Sequence, residues 1–125
     1  MLKIKTALAT QKGKLLDQVI EKEISRREGK IAFRGLGKRR PVFLTKYLEA
    51  NENRIDKNRR KQKFFAGLEL LKRAQLEDMT DKIKEPTGEL SFEFKGIAPN
   101  DELVGVHIRE VVGRKDKKLY LISTF

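Results

Sequence analysis

The chain has 125 residues, 29 Lys and Arg, 18 Asp and Glu, a formal net charge of +11, and no cysteine. This length predicts one domain over residues 1–125, and the missing thiols exclude disulfides, thiolate zinc sites and cysteine nucleophiles. No stretch approaches the roughly 20 apolar residues of a membrane span, and no signal-peptide core is evident. We therefore expect a soluble, cytoplasmic protein that does not bind a membrane.

The positive charge is concentrated in the first half of the chain. Residues 1–63 contain 19 Lys and Arg and 7 Asp and Glu, whereas residues 64–125 contain 10 and 11. Repulsion among these positive charges makes the folded state slightly less stable. We therefore expect a negatively charged partner that binds them. A polyanion is the commonest one, which predicts RNA or another nucleic acid.

Apolar residues at three- and four-residue spacing predict an amphipathic helix over residues 14–28, which Gly29 ends. Residues 31–33 form either a short strand or a passage under the core. A second helix is expected to begin at Pro41, with Phe43 and Tyr47 on its buried face.

A third helix is predicted from Phe64 to about Asp78, where apolar periodicity resumes. Whether the basic stretch before it is a loop or the exposed first turns of that helix is left open by the pattern.

Two basic segments are candidates for phosphate contact. One is a loop whose glycines let the protein backbone approach a phosphate closely and whose cations neutralise that phosphate. The other would bind the phosphates of a nucleic acid without recognising its base sequence. The nucleic-acid-binding candidates are Arg34, Lys38, Arg39 and Arg40 in the loop, and Arg54, Lys57, Arg59, Arg60, Lys61 and Lys63 in the second segment. The alternatives are a flexible basic linker for the first segment and a solvated face for the second.

After Pro86 the period changes to two, which predicts three antiparallel strands joined by loops 96–101 and 113–116. The fold class is therefore α+β: two to three N-terminal helices packed on a C-terminal antiparallel β-meander of three to four strands. In this organisation residues 1–78 form a basic helical half and residues 87–125 a sheet half.

A four-residue hairpin loop at 113–116 fixes a register for the last two strands. The resulting pairs are Val104–Phe125, Val106–Ser123 and Ile108–Leu121 on the core side, and Gly105–Thr124, His107–Ile122 and Arg109–Tyr120 on the other.

The second face of the sheet gathers the side chains that can carry chemistry. His and Glu suit general acid–base work, Arg suits a phosphate oxygen and developing charge, and Tyr stacks on a base or donates a proton. The candidate catalytic residues are Glu93, His107, Arg109, Tyr120 and Thr124, with Ser91 nearby. They describe metal-independent RNA cleavage, whereas the alternative is a solvated face with an ordinary Arg109–Tyr120 pair.

The order of helices followed by strands reading Val-His-Ile-Arg-Glu at 106–110 and Lys-Leu-Tyr-Leu-Ile-Ser-Thr-Phe at 118–125 resembles the barnase–EndoU–colicin–RelE (BECR-fold) superfamily. The likeness is greatest to its phage-encoded and toxin-type nucleases. It implies a metal-independent ribonuclease, often paired with a protein inhibitor, and a fourth strand from residues 31–33 or 2–6.

The resemblance also implies roles for single residues. His107 is then a general base or acid, Arg109 binds the scissile phosphate, and Tyr120 and Thr124 orient the substrate.

We predict no cofactor and no metal, since one histidine and no cysteine leave only carboxylates, although two carboxylates suffice for a magnesium ion. The leading function is a small toxin-type endoribonuclease with a possible acidic inhibitor or immunity protein. The alternatives are a non-catalytic nucleic-acid- or ribosome-binding module and a phage or mobile-element protein that binds an acidic host protein.

Overall fold

The computed structural model describes residues 1–34, 41–43, 47–52, 55–86, 88–110 and 119–125. The helices in this part of the chain are α1 (Gly13–Arg26), α2 (Tyr47–Glu52), α3 (Lys57–Gln62) and α4 (Phe64–Arg73), and a 3₁₀ turn spans Leu76–Asp78. The strands are β1 (Leu2–Lys3), β2 (Val42–Phe43), β3 (Met79–Lys84), β4 (Leu90–Ile97), β5 (Leu103–Glu110) and β6 (Leu119–Thr124). None of the described helices is long and apolar enough to cross a membrane.

The strands form one mixed sheet, so the α+β class is confirmed. Strands β4, β5 and β6 make the predicted antiparallel meander, and β3 adds to β4 as a further antiparallel strand. The expected three to four antiparallel strands are an underestimate, because six described strands pair and two of them, β1 and β2, run parallel to their neighbours. The sheet is also not confined to residues 87–125, since β1 and β2 come from the basic half.

Strands β1 and β3 share the outer edge of β4. Leu2 lies beside Gly96 at one end of β4, whereas β3 runs along residues 90–94. The close approach depends on glycine, because a Cβ at Gly96 would lie 2.9 Å from the carbonyl oxygen of Leu2. The fourth strand expected from residues 2–6 is therefore present as β1, and residues 31–33 form no strand.

The helices differ from the expected ones at their ends. The predicted second helix begins at Tyr47, not at Pro41, because Val42 and Phe43 extend along β6 as β2. The predicted third helix ends at Arg73, since Ala74 is extended. The basic stretch before it folds largely as the separate helix α3.

The register of β5 and β6 is as predicted from Glu110–Leu119 to Ile108–Leu121 and shifts by one residue farther along. The observed pairs are Glu110–Leu119, Arg109–Tyr120, Ile108–Leu121, His107–Ser123 and Val106–Thr124. Ile122 is skipped, so it is the extra residue of a β-bulge. The predicted loop 113–116 and the Val112–Lys117 pair lie outside the described residues.

The bulge reverses the alternation of side chains at the end of β6. Thr124 faces the helices, where its Cγ2 lies against Gly67 of α4, and Ser123 and Phe125 face the opposite side with His107. The predictions that Phe125 is in the core and that Thr124 lies on the second face are wrong for this reason. We call the sheet surface that carries His107 the second face.

The core lies between the helices and the other face of the sheet. Its largest fully buried side chains include Phe64 and Leu71 from α4 and Phe94, Ile108 and Leu121 from the meander. Aromatic side chains join the layers. Phe33 meets Phe94 edge-to-face with ring centroids 5.5 Å apart. This apolar cluster packs against one face of the meander and holds it rigid, so the side chains of the second face are not needed for the core.

The N-terminal segment is held to α4 by one carboxylate. Glu69 accepts hydrogen bonds from the backbone N–H of Lys5 (2.9 Å), from the backbone N–H and hydroxyl of Thr6 (2.8 and 2.6 Å), and from Arg73 Nη1 (2.7 Å). Burial raises the pKa of Glu69, but the hydrogen bonds together outweigh burial and lower that pKa from 4.5 to about 2.

Replacing Glu69 with Gln should lower the free energy of unfolding by about 1–3 kcal/mol at neutral pH, because an amide NH₂ then faces these donors. A lowered carboxyl pKa stabilises the fold above pH 4.5 and ceases to do so as the pH falls toward 2. Urea titrations across that range should show wild type and variant converging. If the difference in free energy of unfolding between wild type and Glu69→Gln stays constant down to pH 2, the Glu69 carboxylate does not stabilise the fold in this way.

Candidate active site

Three chemically capable side chains lie side by side on the second face. Glu93 of β4 is directly opposite His107 of β5, and His107 is directly opposite Ser123 of β6. Side chains in such opposed pairs have Cβ atoms about 4.5–5.5 Å apart, within reach of one another. The three line a cavity of about 220 Å³ together with Arg60 and Phe125, which we call the His107 cavity.

Phe125 forms one wall of the cavity because Gly105 makes room for its ring. The backbones of the two residues are paired by two hydrogen bonds of 2.6 and 2.9 Å. A Cβ on Gly105 would overlap the Phe125 ring, so only glycine allows the ring to lie against β5. The aromatic wall is therefore fixed by the backbone on one side of the cavity.

Arg60 reaches the cavity from α3. Its Nε donates to Asp56 Oδ1 at 2.7 Å, and its guanidinium carbon lies 5.9 Å from the centroid of the Phe125 ring. Its Nη1 is 3.4 Å from the carbonyl oxygen of Thr124. Arg60 was expected as one of several backbone grips, and its place beside His107 had no signal in the sequence.

Arg109 and Tyr120 lie opposite each other as predicted, but one row along the sheet from His107. They do not line the His107 cavity. Arg109 Nε is 3.8 Å from Glu89 Oε2 and, within the described part of the chain, is buried with no hydrogen-bond partner. Ser91, on the other side of Arg109, donates its hydroxyl to Glu85 Oε1 at 3.0 Å.

Thr124 is not part of the site. It is fully buried, and its hydroxyl donates to the carbonyl oxygen of Arg60 at 2.8 Å. The hydroxyl of Tyr47 lies 3.1 Å from Thr124 Oγ1 and donates to it, because the single Thr124 proton is already used. Burial raises the pKa of Tyr47, so that group stays neutral. Thr124 is therefore structural, and its assignment as a catalytic residue is wrong.

The charge of Lys61 is not available to a nucleic acid. Its side chain is nearly fully buried, and its ammonium pairs with Asp17 (3.0 Å) and Glu52 (3.2 Å). The predicted phosphate contact is excluded because the group ties α1, α2 and α3 together instead.

The other basic candidates fall into three groups. Arg34 and Lys57 are exposed; Arg59 pairs with Glu102, and Lys63 donates to the carbonyl oxygen of Leu103 at 2.7 Å. Lys38, Arg39, Arg40 and Arg54 lie outside the described residues.

The cations at the end of α3 lie close to one another. Burial lowers the pKa of Lys63, and the neighbouring charges of Arg59 and Arg60 lower it further. Asp56 opposes this effect on Lys63 only in part. Lys63 is therefore close enough to Arg59 and Arg60 for their positive charges to disfavour its own.

The chemistry available in the cavity is that of an acid–base pair, a hydroxyl and a guanidinium. Among the described residues no group of three His, Asp or Glu side chains could hold a metal ion. Comparisons of the chain with protein-family models, curated proteins and solved structures found no match. The function is therefore inferred from the site itself.

Replacing Lys61 with Ala should lower the free energy of unfolding by about 1–3 kcal/mol, because Asp17 and Glu52 lose their shared cation. Replacing the exposed Lys57 on the same helix should change that free energy by less than about 0.5 kcal/mol. Urea denaturation of both variants measures the difference. Equal effects of the two substitutions would show that Lys61 is not the buried tie between the helices.

Proposed function

We propose that this protein is a metal-independent endoribonuclease of the toxin type that cuts RNA in the His107 cavity. The observation that supports this most is the direct cross-strand pairing of Glu93 with His107 in a cavity that Arg60 also lines. A carboxylate and an imidazole at that spacing supply one proton acceptor and one proton donor without a metal.

The cleavage uses a nucleophile that RNA itself carries. Glu93 accepts the proton of the 2′-hydroxyl, the 2′-oxygen attacks the adjacent phosphorus, and the bond to the 5′-oxygen breaks. His107 gives its proton to that leaving oxygen. In this division of roles the carboxylate is the base and the imidazole is the acid.

Arg60 supplies the positive charge for the reacting phosphate. A guanidinium donates two parallel hydrogen bonds to phosphate oxygens and stabilises the charge that accumulates in the transition state. Its contact with Asp56 and its position near Phe125 hold it at the cavity rather than in open solvent. The Phe125 ring adds an apolar surface on which a nucleobase stacks.

Arg109 and Tyr120 extend the substrate path along the sheet. Residues two apart on one strand are separated by about 7 Å, so Arg109 is near enough to His107 to contact a flanking phosphate. Its guanidinium keeps one buried donor without a partner among the described residues. In this role Arg109 binds RNA next to the cut and does not perform the proton transfers.

The electropositive surface of α3 guides the RNA to the cavity. Lys57 is exposed, and the charges of Arg59 and Arg60 act on Lys63. The same charges suit an acidic inhibitor, which would protect RNA by covering this surface.

The test is cleavage of total RNA by the pure protein in excess chelator. Wild-type protein should cut, and His107→Ala, Glu93→Gln and Arg60→Ala should each lower the rate by roughly 100-fold or more. Asp81→Asn is a matched control, because Asp81 continues the same row on β3 without lining the cavity. Its rate should equal that of wild type.

Two results would refute the assignment. RNA that binds but stays intact would make the protein a binding module. Cleavage that survives His107→Ala would place any active site elsewhere.

A further inference from the structure

The side chains of Glu93, His107 and Ser123 are also arranged for a second kind of chemistry. A carboxylate, an imidazole and a hydroxyl occupy successive positions across three hydrogen-bonded strands, with the imidazole in the middle. In this order the carboxylate orients the imidazole, and the imidazole accepts the proton of the hydroxyl. All three side chains line the same cavity.

The bulge at Ile122 creates this row. In the regular register Ser123 would lie opposite Val106 on the core side, and His107 would face Ile122. The observed shift puts Ser123 opposite His107 instead. β-Bulges are frequent beside active sites, where the extra residue re-aims a side chain. The RNA cleavage proposed above makes no use of this placement, since its nucleophile is the 2′-hydroxyl.

We propose that Ser123 is the nucleophile of a Ser–His–Glu hydrolase site that acts on small carboxylic esters. The volume of about 220 Å³ limits the acyl group to a few heavy atoms, since drug-sized ligands need roughly 300 Å³ or more.

The reaction has two balanced halves. Ser123 Oγ attacks the ester carbonyl carbon while its proton passes to His107, and Arg60 stabilises the tetrahedral oxyanion. The carbon–oxygen bond to the alcohol then breaks, and the alcohol leaves with the proton from His107. Water, deprotonated by His107, attacks the acyl-serine, and the acid leaves as Ser123 regains its proton.

This activity does not depend on the proposed RNA cleavage, although both use His107. Ser123→Ala removes the nucleophile of ester hydrolysis and keeps Glu93, His107 and Arg60 for RNA. The two proposals can therefore fail separately. RNA cleavage without acylation of Ser123 would refute only the hydrolase, and acylation of Ser123 without RNA cleavage would refute only the ribonuclease.

The experiment is reaction of the pure protein with p-nitrophenyl acetate and, separately, with a fluorophosphonate probe, followed by peptide mass spectrometry. We expect release of p-nitrophenolate and modification at Ser123. His107→Ala should lower both rates by roughly 100-fold or more, and Ser123→Cys should retain acylation because the thiol places a nucleophilic sulfur where serine has its oxygen.

Ser91→Ala is the matched control. Ser91 is on the same face and equally enclosed, but it lies opposite Arg109 and bonds to Glu85. Its variant should react like wild type. Absence of modification at Ser123 in folded wild-type protein, or modification that persists undiminished in His107→Ala, would overturn the proposal.

Discussion

The skipped residue Ile122 in β6 is the constraint on which the site depends. Before it, β5 and β6 pair in a regular register; after it, every side chain of β6 changes face. Thr124 then points to the helices, and Ser123 and Phe125 point to the cavity. A sheet without this bulge would have the same strands and the same neighbours, but His107 would face an isoleucine.

Buried hydrogen bonds explain why the shifted register is preferred. With Thr124 turned inward, its hydroxyl joins Tyr47 to the carbonyl oxygen of Arg60 in an otherwise apolar layer. Turned outward, the Thr124 hydroxyl would lose both of these hydrogen bonds, each worth about 0.5–1.5 kcal/mol. The same bond ties the backbone of Arg60 to the end of β6, and so delivers its side chain to the cavity. The inward position of Thr124 therefore serves both the packing of the core and the placement of Arg60 at the cavity.

The sequence was sufficient for the meander and for two members of the site. Strict alternation placed Glu93 and His107 on one face of neighbouring strands, and the fold confirms that face. Alternation could not reveal the bulge, because residues 119–125 fit a regular strand equally well. The two-residue strands β1 and β2 are too short to have a period. Arg60 and Lys61 are adjacent in a uniform basic run, yet helix α3 sends one to the cavity and the other into an ion-paired interior.

The most direct test of this account is the register of β5 and β6 in solution, measured by cross-strand nuclear Overhauser effects. The bulged register predicts contacts of His107 with Ser123, of Val106 with Thr124, and of Gly105 with Phe125. Contacts of His107 with Ile122 and of Gly105 with Thr124 would contradict it. In that case Ser123 and Phe125 would leave the cavity, and the site would lose both its hydroxyl and its aromatic wall.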